Sequence, residues 1–310
     1  MIAESPPLWE RLWIYQQERF PLAMYVPMVL VFSASAATYS RLARGAPGWI
    51  PLDRFAVGAF TALVFFVWLR ILDEHKDAAL DRAYRPELPV PRGLVTLAEL
   101  RQVGGVMLLI AVALNALIEP MLLWAILVVA AYAALMTREF FIGEWLKAHP
   151  AAYLLSHMAI LPLIDAYTTG LDWLAADVEP PHALWFFLAL TYLNGIVVEI
   201  GRKIRPASAE RPGVDTYTKA WGVRLAPIIW IATLVFTGLT AWKALSYVGG
   251  GLLETLLLAG FAIIAVLPAL RFLQTGSARW ATRVEAASGM WTIAMYLLLG
   301  IGQLALRAIS

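Results

Sequence analysis

The chain has 310 residues, a formal net charge of +2 and no cysteine, with 61% hydrophobic residues against 15% charged ones. Its mean hydropathy of +0.70 excludes a soluble domain of this size and predicts an integral membrane protein. The missing cysteines exclude disulfides, iron–sulfur clusters and thiolate zinc sites.

In chain order, residues 1–19 mix Glu, Arg and Trp and lack a short apolar core before a small-residue cleavage site, so no cleavable signal peptide is expected. Apolar runs of span length follow at approximately 21–41, 53–72, 97–118, 120–137, 151–174, 182–201, 222–245, 249–270 and 284–306. They are long and show no period-two alternation, so helices are expected in place of barrel strands. Glu119-Pro120, the 177–181 stretch with its Pro-Pro, and Gly249-Gly250-Gly251 read as short turns. The expected fold class is all-α integral membrane, with about nine transmembrane helices in a single domain over 1–310.

Basic residues set the expected orientation. With the N-terminus inside, the inner segments hold Arg11 and Arg19, the Arg70–Arg101 and Arg202–Arg224 groups, Arg138, Lys147 and the Arg271–Arg283 group. Only Arg41, Arg44, Arg54, Lys243 and Arg307 then lie outside. The positive-inside rule therefore puts the N-terminus and both charged loops, about 73–96 and 202–221, in the cytoplasm, with the chain multi-pass in the inner membrane. Trp9, Trp13, Trp49, Trp173, Trp221 and Trp280 fall near span ends, as interfacial anchors should.

The first loop opens with four carboxylates in nine residues: Asp73, Glu74, Asp77 and Asp81. On one continuous helix Glu74, Asp77 and Asp81 share a face, with Asp73 beside it. So many like charges near lipid call for a cation, and Mg²⁺ suits a few carboxylates plus phosphate oxygens. The second loop starts at Glu199, runs through Arg202, Lys203, Arg205 and Glu210, and ends Gly213-x-x-Thr216 to Gly222. One acidic and one mixed site on the same membrane face suit a ligand that is anionic at one end and greasy along its length.

Asp73-Glu74-x-x-Asp77-x-x-x-Asp81, followed by Arg85-Pro86 and Pro89-Val-Pro91-Arg92-Gly93, resembles the Asn-Asp-x-x-Asp-x-x-x-Asp motif and Arg-Pro tail of the UbiA superfamily of intramembrane prenyltransferases. Asp73 stands for the family's Asn and Glu74 for its first Asp. The Gly213 to Gly222 stretch is similar to the one that follows the family's second aspartate motif. The resemblance implies a UbiA-type bundle around a central cavity, in which Mg²⁺ bridges two acidic motifs to an isoprenyl diphosphate. The prenyl group then passes to a lipophilic or aromatic acceptor; no nucleic-acid partner is expected. Carried over by position, Glu74, Asp77 and Asp81 are metal carboxylates and Asp73 an orienting group. Arg85, and by loop position alone Arg138 or Lys147, are phosphate contacts.

The second site departs from the family pattern. Glu199-x-x-x-Lys203 stands where Asp-x-x-x-Asp is usual, so one ligand is lost and a cation gained. Glu199, Glu210 and Asp215 remain as candidate ligands, and Arg202 and Lys203 as diphosphate contacts. Either acidic run has a plainer reading as a solvated, positive-inside loop. Asp165, an intramembrane carboxylate, is a functional candidate or the partner of a Thr, Tyr or His; Asn194, on the approach to Glu199, is a candidate for cavity lining and substrate contact. His75 and His157 read as hydrogen-bonded packing residues. The aromatics Phe140, Phe141, Tyr192 and Trp185 are candidates for cation–π contact with a carbocation, or simply core and lipid-facing groups. Three activities compete: prenyl transfer, a terpene cyclase using the same ionisation without an acceptor, and a non-enzymatic lipid carrier or permease. Charges confined to span ends disfavour the last, and the absence of an Asp-Gly-x-x-Ala-Arg core disfavours a CDP-alcohol phosphotransferase.

Overall fold

The computed structural model describes residues 6–309, with side chains from 6 to 306. Residues 1–5 of the expected inner N-terminus, residue 310 and the Arg307 side chain lie outside that description. Every regular element among the described residues is helical: α1 (Leu8–Arg19), α2 (Leu22–Ala43), α3 (Leu52–Lys76), α4 (Ala78–Tyr84), α5 (Leu97–Ile118), α6 (Leu122–Thr137), α7 (Gly143–Ala148), α8 (Pro150–Met158), α9 (Ile160–Trp173), α10 (Leu184–Arg202), α11 (Tyr217–Trp221), α12 (Leu225–Tyr247), α13 (Leu252–Thr275), α14 (Ala278–Leu299) and α15 (Ile301–Ile309).

Six of these, α2, α3, α5, α10, α12 and α13, are long and apolar enough to cross a membrane. The protein is therefore a multi-pass membrane protein. The other expected spans are helical but differ in form. The 120–137 run gives α6, of only 16 residues. The 151–174 run breaks at Ala159 into α8 and α9, because Pro162 in the first turn of α9 has no N–H for the carbonyl of residue 158. The last span starts early, at Ala278, and stops at Gly300, where a Cβ would stand 2.3 Å from the Ser35 Cα on α2.

Local chemistry sets the helix starts. Pro7, Pro21 and Pro51 precede α1, α2 and α3. Thr96 and Glu99 close a reciprocal cap on α5, with the Glu99 N–H donating to Thr96 Oγ1 at 3.1 Å and the Thr96 N–H to Glu99 Oε2 at 2.8 Å.

Packing falls into two main cores. One joins α2, α10, α12, α13 and α14; the other joins α2, α3, α6 and α9. Several polar groups buried between helices are partnered across them, as an apolar surrounding favours. Trp230 of α12 donates to the Val197 carbonyl at 2.9 Å and to Ser288 Oγ at 3.0 Å. Tyr167 of α9 donates to Asn115 of α5, whose amide donates to Thr61 of α3, both at 2.8 Å. Between the two cores lies a cavity of about 400 Å³, lined from α2, α3, α8, α9, α10 and α14.

Candidate functional site

The cavity opens at the bundle end where α3 and α10 finish, and Glu199 and Arg202 form part of its wall there. The first acidic run does not continue as one helix. Asp77 leaves helical geometry (φ −90°, ψ 2°), so α3 ends at Lys76 and α4 restarts at Ala78. The common face expected for Glu74, Asp77 and Asp81 assumes an unbroken helix; across the joint Glu74 and Asp81 still both approach Arg19 of α1.

Glu74 turns inward. It is 1% exposed and accepts from Arg19 Nε of α1 at 2.7 Å, Arg70 Nη2 at 2.7 Å and the Tyr15 hydroxyl at 3.4 Å. A carboxylate this deep is tolerable only with such partners. Burial, and then the Glu74 charge, push the Tyr15 hydroxyl up to about 12. Asp81 is equally buried, paired with Arg85 and 3.9 Å from Arg19 Nη2. Burial raises its pKa above the ordinary carboxylate value, Arg85 opposes this, and Asp77 adds to it. Arg85 keeps an unpartnered Nε.

Asp73 and Asp77 behave differently. Asp73 is exposed, Asp77 is half-buried, and neither carboxylate has a hydrogen bond or ion pair among the described residues. They stand one turn apart at the joint, and Asp73 lies within electrostatic reach of Arg202 on α10. The two charged loops therefore lie on facing sides of the mouth. The loops also touch directly: Gly213, at φ +71°, packs so closely on the Tyr84 ring of α4 that a Cβ would sit 2.4 Å from it.

The second loop is ordered by its own motif. Thr216 caps α11 by accepting from the Lys219 N–H at 3.1 Å, and Gly222 ends that helix at φ 96°. Glu199, 6% exposed, pairs with Arg202 and with Lys203 Nζ at 2.9 Å. The Arg202 side chain is still 55% exposed at the cavity mouth. Glu210 accepts through Oε1 from Thr216 at 2.6 Å and Thr218 at 3.0 Å, and its Oε2 is unpartnered. Burial and the Glu199 charge drive the Tyr217 pKa upward.

Of the cations expected from the 138–147 loop, Arg138 is exposed and Lys147 is a 63%-exposed side chain 3.8 Å from Glu144. The cation held near Asp73 is instead Lys76, which reaches the Tyr153 hydroxyl at 2.6 Å and Glu139 at 3.0 Å. Glu139 is presented by a left-handed turn, with Glu139, Phe140 and Phe141 at φ 48°, 53° and 61°.

Deeper in the cavity Asp165 of α9 accepts from the Tyr296 hydroxyl of α14 and lies 3.3 Å from Thr168 Oγ1. Asn194 lines the same cavity. Arg19, Tyr15, Lys76 and Tyr296 escape a reading of the sequence. Arg70 alone carried a local signal, at four residues from Glu74.

Among the described residues no three His, Asp or Glu side chains gather as a ready metal-ligand set. The donors do fit Mg²⁺ in another way. Two uncommitted carboxylates, Asp73 and Asp77, suit an ion that takes one or two carboxylates and completes its shell with substrate phosphates and water.

No protein-family model matches the sequence, and no curated protein matches it. A solved structure described as digeranylgeranylglyceryl phosphate synthase in membranes shares the fold at a TM-score of 0.66 and 13% identity, over 96% of this chain and 99% of that one. The chain thus shares the all-helical bundle fold of that structure.

Proposed function

We propose that this chain is a single-domain intramembrane prenyltransferase that ionises an isoprenyl diphosphate at the cavity mouth and transfers the prenyl group to a lipophilic or aromatic acceptor. One observation carries the reading. Two charged loops face each other at the end of a largely apolar cavity where Glu199 and Arg202 line it, with carboxylates on one side and an arginine on the other. A ligand with an anionic head and a hydrocarbon tail matches that division of charge. The neighbour in fold, a prenyl-lipid synthase by its description, supports it.

Asp73 and Asp77 would hold Mg²⁺, and Arg202, Lys203 and Arg85 would contact phosphate oxygens. When bound, Mg²⁺ neutralises negative charge that grows on the departing diphosphate. Arg202 is already half desolvated and oriented by Glu199, so it can stabilise the same charge with little rearrangement. The C1–O bond breaks with its electron pair going to the diphosphate, the acceptor attacks the allylic cation, and the acceptor then loses a proton. Phe32, Phe66 and Tyr25 face this chamber and offer ring faces to the cation while water is excluded. Glu74 and Asp81 hold Arg19, Arg70 and Arg85 in place around the mouth. By the distribution of basic residues this end faces the cytoplasm, with the protein in the inner membrane.

The test is purified protein in lipid nanodiscs, given labelled isoprenyl diphosphates of several lengths and Mg²⁺, with and without membrane lipid extract. Pyrophosphate release that rises with extract, with label moving to a new lipid, is expected. No release from any length refutes the reading; release with a cyclised hydrocarbon and no acceptor dependence favours the cyclase.

A further inference from the structure

The cavity wall is not uniformly apolar. Midway along α10 Asn194 lines it, 1% exposed, with neither the amide nitrogen nor the oxygen partnered. Ser33 of α2, also 1% exposed, lines the same space with an unpartnered Oγ. Beside them the Asp165 carboxylate receives the Tyr296 hydroxyl. Helical rise puts Asn194 about 7 Å inward of Glu199 and about 12 Å inward of Arg202 along α10.

An amide with two donors and an acceptor left unmet inside a membrane protein is costly. Asn115, another fully buried asparagine, avoids that cost: it is satisfied by Tyr167, Thr61 and the Ala111 carbonyl. A prenyl tail is hydrocarbon and could satisfy neither Asn194 nor Ser33. A diphosphate held by Arg202 leaves its first carbon just inside the mouth. A ring fixed by its oxygen at the depth of Asn194 would therefore present carbon atoms toward that position.

We propose that Asn194, Ser33 and the Asp165–Tyr296 pair form a polar subsite, at mid-membrane depth, for a hydroxyl or carbonyl group on an otherwise apolar acceptor. Calling that molecule the acceptor rests on the prenyl-transfer reading; its binding chemistry rests on the cavity alone. Asn194 and Ser33 meet the oxygen directly, and Asp165, held by Tyr296 and Thr168, forms the acidic end of the belt.

The experiment compares 1-naphthol with naphthalene, which differ by one hydroxyl, by equilibrium dialysis against protein-loaded and empty nanodiscs. After subtraction of lipid uptake, 1-naphthol should bind about tenfold more tightly, the value of one well-made buried hydrogen bond. Asn194→Leu and Ser33→Ala should each bring the ratio toward one without weakening naphthalene. Asn194→Leu should also raise the thermal unfolding midpoint of the ligand-free protein, since it removes an unsatisfied amide. A structural asparagine would do the opposite. A ratio near one in the native protein, a ratio unchanged in both variants, or a lower midpoint for Asn194→Leu overturns the proposal. Pyrophosphate release is read separately: its absence with a persistent naphthol preference would refute prenyl transfer and leave the subsite standing.

Discussion

Arginine–carboxylate clusters close both ends of the bundle, and they differ in what they leave unused. At the end away from the cavity mouth, Asp172 of α9 has a side chain at 0% exposure. It accepts from Ser40 Oγ at 2.9 Å, Arg41 Nη1 at 3.1 Å and both Arg44 contacts at 2.7 Å. Arg41 spends its remaining donors on the carbonyls of Pro47 and Gly48. This cluster is self-sufficient, and it ties α2 to α9. At the mouth, Glu74 and Asp81 are likewise sealed by arginines, yet Asp73 and Asp77 stay uncommitted and Arg202 stays half exposed. Closed charge fastens helices together. Open charge, next to a cavity, can receive a ligand.

The largest effect expected on stability is at the closed end. Asp172→Ala takes the buried carboxylate from two partly buried arginines and leaves Arg44 without its acceptor, and it should cost about 3 kcal/mol of stability. Unfolding in nanodiscs or mild detergent measures it, and pyrophosphate release per folded molecule should stay near native. Asp77→Ala should do the reverse, cutting release by about 10²–10³-fold, or about 3–4 kcal/mol of barrier, with an unchanged unfolding midpoint. A variant at either end that moves both quantities equally would erase the distinction between closed and open clusters.

Glu74 is the position where the comparison can be sharpened. The family resemblance makes it a metal ligand; the geometry makes it the anchor of Arg19 and Arg70. Glu74→Gln keeps the shape but removes the charge, and it should cost about 1–3 kcal/mol of stability. Mg²⁺ titration of release should then show an unchanged half-saturating concentration. A Mg²⁺ requirement shifted as far as in Asp77→Ala would return Glu74 to the metal.

Much of this plan was legible in the residues. Apolar runs locate every large helix, because burial against lipid or core dictates composition over about 20 residues. The loops that meet at the mouth were legible from their charges. Breaks inside runs were less so: Gly300 ends α14 because α2 lies against it, a contact with no local signal. The site failed at a similar point. The shared carboxylate face presumed a continuous helix, but α3 ends before Asp77, and the partner that claims Glu74 is 55 residues away in α1. Lys76 lies within the first acidic run, yet loop position points to Lys147, because no local signal marks Tyr153 and Glu139, which the fold brings to Lys76.

The smallest effect concerns how α1 is held over the first loop. Arg92 donates to Glu18 at 2.8 Å and 2.7 Å, on a surface where the Glu18 side chain is 39% exposed. The Arg92 hydrogen bonds hold the Glu18 carboxyl below its ordinary pKa of 4.5, with burial opposing weakly. A lowered acid pKa contributes stability that is complete above the unfolded value and fades as pH falls through the folded one. The pair should therefore be intact at neutral pH and lost only below about pH 4.5. Solvent and salt screen it, so Glu18→Gln should cost under about 1 kcal/mol, and less as ionic strength rises. The same change should leave release untouched, because Arg19, one residue on, is fixed independently by the buried Glu74. A loss of release in Glu18→Gln, reproduced in the native protein by raising salt, would mean that the Arg92 tether, and not Glu74, sets the position of α1 over the mouth.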